Sequence, residues 1–295
     1  MPAVHGIYLL DKPPGLSSNQ ALQRAKRLLG ADKAGHTGSL DPLATGMLPL
    51  VFGEATKVAG HLLGSRKVYA AEVALGATTS TDDAEGEVLA TAPVPALDDA
   101  TLAAALASFV GTIRQRPPAY SALKRAGQPL YKLARKGLTV EIPEREVRIE
   151  AITVQGRTPT HLRLEVICGS GTYIRSLARD LGAVLGCGAH LSALRRLWVE
   201  PFEHAPMQGL EALEAAVRDG RSQDLLLPPE AGLTGLPRLD ADPAEAERIR
   251  HGQGLARPGL DWSGPCRIHG PAGGLLALGE RDAAGSVRLS RVLNA

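Results

Sequence analysis

GHTGSLDPLATG, residues 35–46, carries three glycines (Gly35, Gly38, Gly46) and Pro42 within twelve residues. That composition excludes a continuous helix and a regular central strand. Pro42 pushes Asp41 off helical geometry toward extended or turn backbone. A single carboxylate is thereby presented from an irregular loop, with His36, Thr37 and Ser39 beside it in sequence. Apolar segments flank the loop, LLG before it and MLPLVFG after it. A polar, glycine-rich loop held between packed elements is a frequent seat for a reactive group. Asp-Pro is equally a common turn pair, so the rest of the chain has to decide between the two.

The 295 residues allow one large domain, or a large domain with a small companion. With 44% hydrophobic and 22% charged residues the composition is that of an ordinary soluble globular protein. A net charge of +2 says little about partners, but its distribution says more. Residues 81–111 hold six acids and no Lys or Arg, whereas residues 112–148 hold nine basic residues against three acids. Such a patch attracts phosphate backbones, and a solvated loop with basic helix faces is the alternative reading. Cys168, Cys187 and Cys266 are odd in number and widely spaced, which argues against a disulfide framework and for a reducing cytosol. Cys187 and His190 have a metal-like separation, but two residues do not make a site, and no metal is expected. MPAVHGIYLLDKPPG has no signal-peptide pattern, and no apolar run reaches membrane-spanning length.

Taken in order, residues 4–10 read as a strand ending in the turn Asp11–Gly15, and Ser17 with Gln20 forms a capping-box pattern. Leu22, Ala25, Leu28 and Leu29 keep helical spacing up to Gly30. A helix is expected over 54–63, a strand over 66–76, a polar turn over 77–87, and a helix capped by Asp98 or Asp99 through Phe109. Residues 113–146 are basic, contain four prolines, Tyr120 and Tyr131, and read as a protruding insertion with one short helix from Pro129 to Lys136. Strands follow at 145–154 and 161–168. GSGTYIRSLARDLGAVLG then turns into a helix with Ile174, Leu177, Leu181, Val184 and Leu185 on its apolar face. The Gly169-x-Gly171 turn imitates a dinucleotide-binding turn, but Ile174 occupies the third glycine position and no Walker-type lysine follows. Residues 187–199 read as strand-like or irregular, residues 208–218 as a helix, and the proline-rich stretch near 229–236 as a boundary. The remainder reads as a small β-rich module.

Two of five tyrosines fall where chemistry can use them: Tyr69 on the strand after the Asp41 loop, and Tyr173 after the Gly-x-Gly turn. Arg175 follows two residues on. One carboxylate, one guanidinium, two aromatic faces and a basic patch make a consistent set, and no nucleophilic Ser-His or Cys-His motif competes with it.

DKPPGLSSN (11–19), GHTGSLDPLATG (35–46), KVYAAEVALG (67–76), PPAYSALK (117–124), GSGTYIRSLARDLG (169–182) and AHLSALRR (189–196) resemble, in order and spacing, the motifs of the bacterial tRNA pseudouridine-55 synthases. The resemblance covers residues 4–200. It implies an α+β fold in which a mixed, largely antiparallel central sheet is flanked by helices. It also implies a catalytic domain over 1–232, a thumb-like RNA-gripping insertion at 113–146, and a small PUA-type domain over 233–295. By the same resemblance Asp41 is the catalytic aspartate, Tyr69 stacks on the target base, Tyr173 is the second tyrosine of the pocket, and Arg175 pairs with the aspartate. Leu191 is an apolar contact to the uracil, His36 contacts the displaced nucleotide region, and Lys12 belongs to the first motif. Lys124, Arg125, Lys132, Arg135 and Lys136 are expected on the RNA backbone.

The implied reaction breaks the bond from ribose C1′ to N1 and makes one from C1′ to C5, with loss of the C5 proton. Nothing is oxidised or hydrolysed, so no cofactor is expected. An ionised carboxylate can act as nucleophile or base, and Arg175 is expected to hold Asp41 ionised. The expected partner is the tRNA T-arm, with no membrane; a monomer in the cytoplasm suits that task. A non-catalytic tRNA-folding chaperone and a sibling synthase with another RNA target are the competing readings.

Overall fold

The computed structural model describes residues 4–63, 66–120, 124–125, 128–129 and 142–293. Strand β1 (Gly6–Lys12) is apolar on consecutive residues and is buried on both faces. Tyr8 and Leu10 enter the main core, whereas Ile7 and Leu9 enter a second core behind the sheet. Its outer edge is closed by backbone bonds from Ile7 to Leu227 and from Leu9 and Asp11 to Gln208. Helix α1 (Ser18–Leu29) has the expected capping box of Ser17 and Gln20 and ends at Gly30 in left-handed geometry.

Strands β2 (Ala34–His36) and β3 (Thr45–Phe52) bracket the Asp41 loop. The helix expected over 54–63 is instead a 3-10 segment, Gly53–Lys57, followed by the short helix α2 (Ala59–Leu63). Val58 and His61 each bond three residues back, and Thr56, Val58 and Gly60 are poor α-formers. After β4 (Lys67–Leu75), part of the stretch read as a turn pairs as β5 (Ala77–Thr79) with β6 (Val88–Thr91). Helix α3 (Asp99–Ala107) is capped by Asp98. Next come β7 (Gly111–Gln115), the two-residue strands β8 (Lys124–Arg125) and β9 (Gln128–Pro129), β10 (Arg145–Arg157) and β11 (His161–Cys168). The short helix expected from Pro129 to Lys136, and with it Lys132, Arg135 and Lys136, lies outside the described residues.

Helix α4 (Ile174–Val184) buries Ile174, Leu177 and Leu181 as expected, but Val184 is exposed and Arg175 is buried in its first turn. At 3.6 residues per turn Val184 stands about 80° off the stripe set by Ile174, Leu181 and Leu185. Residues 189–199 form the bulged strand β12 (Ala189–Val199), and α5 (Leu210–Arg218) follows.

The large sheet runs β1-β3-β12-β4-β11-β10-β7 with β2 on β3. Only the β3–β12 pair is parallel. The strands meet there at Gly46, whose φ is +96° and whose place would put a Cβ 2.2 Å from the Arg196 carbonyl oxygen, so no side chain fits.

A second sheet, β13-β15-β16-β17-β14, is built from β13 (Arg238–Asp240), β14 (Leu255–Ala256), β15 (Gly264–His269), β16 (Leu275–Arg281) and β17 (Ser286–Val292). Helix α6 (Pro243–Arg250) packs on it through Ala246 and Ile249. It meets the first body through Val58, Leu233, Leu275, Leu278 and Leu293, and Lys57 Nζ donates to the Val292 carbonyl at 2.8 Å.

Candidate active site

The Asp41 loop is irregular yet held on both sides. Ser18 Oγ accepts from the Leu40 N–H at 2.7 Å and donates to the Leu40 carbonyl at 3.0 Å. The Pro42 carbonyl accepts from the Gly15 N–H at 2.8 Å, and the Asp41 carbonyl from the Ala44 N–H at 3.1 Å. Lys12 is fully buried beneath the loop, and its ammonium donates to the carbonyls of Pro13, Leu16 and Pro42. Desolvation pulls that ammonium down to about 8, against the pull of Asp41 and Glu85. Lys12 ties the turn after β1 to the Asp41 loop and is not among the residues that line the cleft.

Arg175 leaves the first turn of α4 and reaches Asp41. Its Nη2 donates to Oδ1 at 3.0 Å, and Nε stands 3.0 Å from Oδ2 without the alignment of a hydrogen bond. Nη1 donates to the Thr81 carbonyl and lies 3.4 Å from Asp83 Oδ2, while Nη2 also donates to the Tyr120 carbonyl. One guanidinium thus serves two carboxylates. Asp83 is 3% exposed and is braced by Thr81 Oγ1 and the Glu85 N–H, whereas Asp41 keeps 37% of its side chain open. Desolvation in the cleft pushes the Asp41 carboxyl up. Arg175 and Lys12 pull the other way and Asp83 adds to the rise. Pairing with Arg175 alone predicts a lowered value; burial and the second carboxylate reverse that direction.

The carboxylate opens into a cleft of about 350 Å³ walled by Gly38–Asp41, Lys67, Tyr69, Arg145, the turn Gly169–Tyr173, Leu194 and Arg196. Lys67 and Tyr69 sit two apart on β4 and so share a face. Burial raises the Tyr69 hydroxyl, the Arg196 charge opposes that rise, and Asp41 lies close enough to add to it. Tyr173 caps α4. Its N–H donates to Gln115 Oε1 at 2.8 Å and its carbonyl accepts from Gln115 Nε2 at 3.1 Å. Asp41, Tyr69, Tyr173 and Arg175 are therefore brought together.

Leu191 is not on this wall. It is fully buried in the main core and exchanges backbone bonds with Asp82 and Ala84; the residue of β12 that lines the cleft beside Arg196 is Leu194, three residues on. A bulge between Leu191 and Ala193 puts Leu194 on the same face as Leu191, opposite Ala71 and Val73, which a count along the sequence cannot reveal. His36 is half-buried on β2 and does not line the cleft; burial and the Arg196 charge lower its pKa. Lys124 and Arg125 fall in β8.

Asp83, Gln115, Arg145 and Arg196 escaped the sequence reading. Asp83 lay in an acidic run that resembled a solvated turn. Arg196 had a signal: an arginine between apolar strand residues must find acceptors when buried. It is 1% exposed and donates to the carbonyls of Met47 at 2.6 Å and Gly38 at 3.1 Å, tying β12 to the loop before Asp41.

Comparison with known proteins bears on this geometry. Residues 26–174 match the model of the TruB family pseudouridylate synthase N-terminal domain, and residues 175–234 match that of the tRNA pseudouridylate synthase B C-terminal domain. The chain is 58% identical over 292 residues to the tRNA pseudouridine synthase B of Xanthomonas euvesicatoria pv. vesicatoria, covering 99% of this chain and 94% of that one. It is 49% identical over 294 residues to the protein of the same name from Aromatoleum aromaticum, covering 99% and 93%. A chain of a solved Cbf5-Nop10-Gar1 complex superposes with a TM-score of 0.76 at 27% identity, over 98% of this chain and 84% of that one. Sequence and geometry agree that this chain belongs to the TruB family of pseudouridylate synthases.

Proposed function

We propose that the chain isomerises uridine 55 in the T-arm loop of tRNA to pseudouridine, with Asp41 acting on the everted nucleotide. The observation that carries this reading is a half-open carboxylate set against Arg175 in a cleft walled by Tyr69 and Tyr173. A uridine inside a folded loop cannot present its glycosidic bond to a side chain without leaving the stack, at a cost of a few kcal/mol. Stacking on an aromatic face returns about 1–3 kcal/mol. Tyr69 stacks on the uracil, Leu194 packs against it, and Asp41 acts while the bond from C1′ to N1 gives way to one from C1′ to C5. The C5 proton leaves for solvent and N1 gains one, so atoms and charge balance. Half-buried His36 supports the displaced nucleotide region. The second sheet serves as a PUA-type RNA-binding module, and the enzyme works as a cytoplasmic monomer.

The direct test is tritium release from tRNA labelled at C5 of uridine. Release is expected with the natural T-arm and none when the target uridine is replaced by cytidine; equal release from both overturns the assignment of the target.

The insertion contributes backbone affinity. Neutralising Lys124, Arg125, Lys132, Arg135 and Lys136 together is expected to weaken binding to every tRNA alike. It should also flatten the dependence of log K on log salt by roughly 0.7–0.9 for each phosphate that is no longer neutralised. A slope equal to that of the wild type removes these residues from the RNA interface.

A further inference from the structure

Arg145 opens β10 and lines the same cleft as Asp41. Its guanidinium lies over the Tyr173 ring, with Cζ 4.9 Å from the centroid. Nη2 donates to the Gly171 carbonyl, and Nε is buried with no acceptor among the described residues. No carboxylate of the described residues stands within ion-pair distance of it, and only one of its nitrogens donates to an acceptor among them. Arg175 faces Asp41 and Asp83, and Arg196 is committed to the carbonyls of Met47 and Gly38. Arg145 thus brings to the rim of a cleft that receives a nucleotide a positive charge with no carboxylate partner among the described residues.

The wall beside it is the turn Gly169–Ser170–Gly171. Gly171 has φ +89°, and a Cβ there would lie 3.4 Å from Arg145 Nη2. Glycine at that position leaves the guanidinium room to move and lets another backbone approach closely. A base that enters the cleft brings a phosphate on each side of its ribose, and a planar guanidinium matches phosphate oxygens in bidentate geometry.

We propose that Arg145 binds a phosphate flanking the everted uridine, so that the Arg145–Tyr173 stack receives base and backbone of one nucleotide together. This assignment rests on the Asp41 cleft being the site that takes the base. Once the phosphate is held, the ribose is fixed relative to Asp41, and that is the orientation the reaction needs.

A cycle combining protein and substrate changes tests it. T-arm stem-loops are made with one neutral methylphosphonate linkage, either 5′ or 3′ to the target uridine, and turned over by wild type, Arg145→Gln and Arg145→Lys. For the wild type, kcat/KM is expected to fall about 10- to 100-fold when the contacted linkage is neutralised, the size of a charge-assisted hydrogen bond. Arg145→Gln should show a similar loss on the natural linkage and no further loss on the neutral one. Arg145→Lys should recover part of the activity, because the charge remains but the fork does not. Coupling at either linkage supports the proposal and identifies the phosphate. Full additivity at both linkages, with Arg145→Gln as sensitive to neutralisation as the wild type, overturns it and leaves Arg145 as a brace for Tyr173. Wild-type tritium release from the unmodified stem-loop reports separately on the cleft itself, so failure of one reading is not mistaken for failure of the other.

Discussion

Asp41→Asn is expected to reduce tritium release by roughly 10³-fold or more. Binding of tRNA should stay within a few-fold of the wild type. The amide is isosteric with the carboxylate, so its oxygen can still accept from Arg175 Nη2, and the Leu40 and Pro42 contacts that shape the loop involve backbone and other side chains. What disappears is the charge. Stability should move in the opposite direction from activity. Because the folded site raises the Asp41 pKa, the proton is bound more tightly in the folded than in the unfolded chain. That contribution to stability is fully present below the unfolded pKa and is lost as pH rises through the folded one. Above that window the asparagine protein should therefore be as stable as the wild type or more so, a trade of stability for activity. A clearly less stable mutant would mean that the carboxylate supports the fold. Undiminished release would remove Asp41 as the catalytic group.

Arg175→Met is expected to cost about 3–5 kcal/mol in chemical denaturation, the usual penalty for breaking a buried ion pair from one side. It leaves Asp83 without its cation and the carbonyls of Thr81 and Tyr120 without their donor. Adding Asp83→Asn should restore much of the stability, since one stranded charge is then gone, but not the turnover. A loss below about 1 kcal/mol would show that the guanidinium is not what holds these groups. The pH profile gives an independent readout. In the wild type, desolvation and Asp83 outweigh the pull of Arg175, so the acid limb of kcat/KM should lie above the ordinary carboxylate range. Arg175→Lys, which keeps a charge but cannot span both carboxylates, should move that limb to higher pH. A limb that stays in place would argue that Arg175 does not set the ionisation of Asp41.

Much of this site was legible from residue order because its elements are locally encoded. The capping box of Ser17 and Gln20, the glycine stop at Gly30 and the Asp98 cap all rest on interactions within a few residues. The Asp41 loop was legible for the same reason, since glycine and proline restrict backbone wherever they stand. That Leu194 rather than Leu191 lines the cleft was not legible, because a bulge sets both leucines on one face, opposite Ala71 and Val73, and a bulge depends on the partner strand. The buried setting of Lys12 was not legible because its acceptors are carbonyls of turns that carry no side-chain signature. Asp83 was passed over because an acid in a polar turn differs from a buried counter-charge only when a helix from residue 174 onward arrives beside it.

Residue order alone determined that this chain offers one carboxylate from a rigid loop, two tyrosines and an arginine at the starts of defined elements, and a basic insertion, because local backbone preference and side-chain chemistry travel with the sequence. Only the tertiary structure decided which charges face one another, which leucine of β12 lines the cleft, and that the Asp41 carboxyl is raised rather than lowered. Those outcomes depend on desolvation and on groups far away along the chain, and both exist only once the sheet has closed around them.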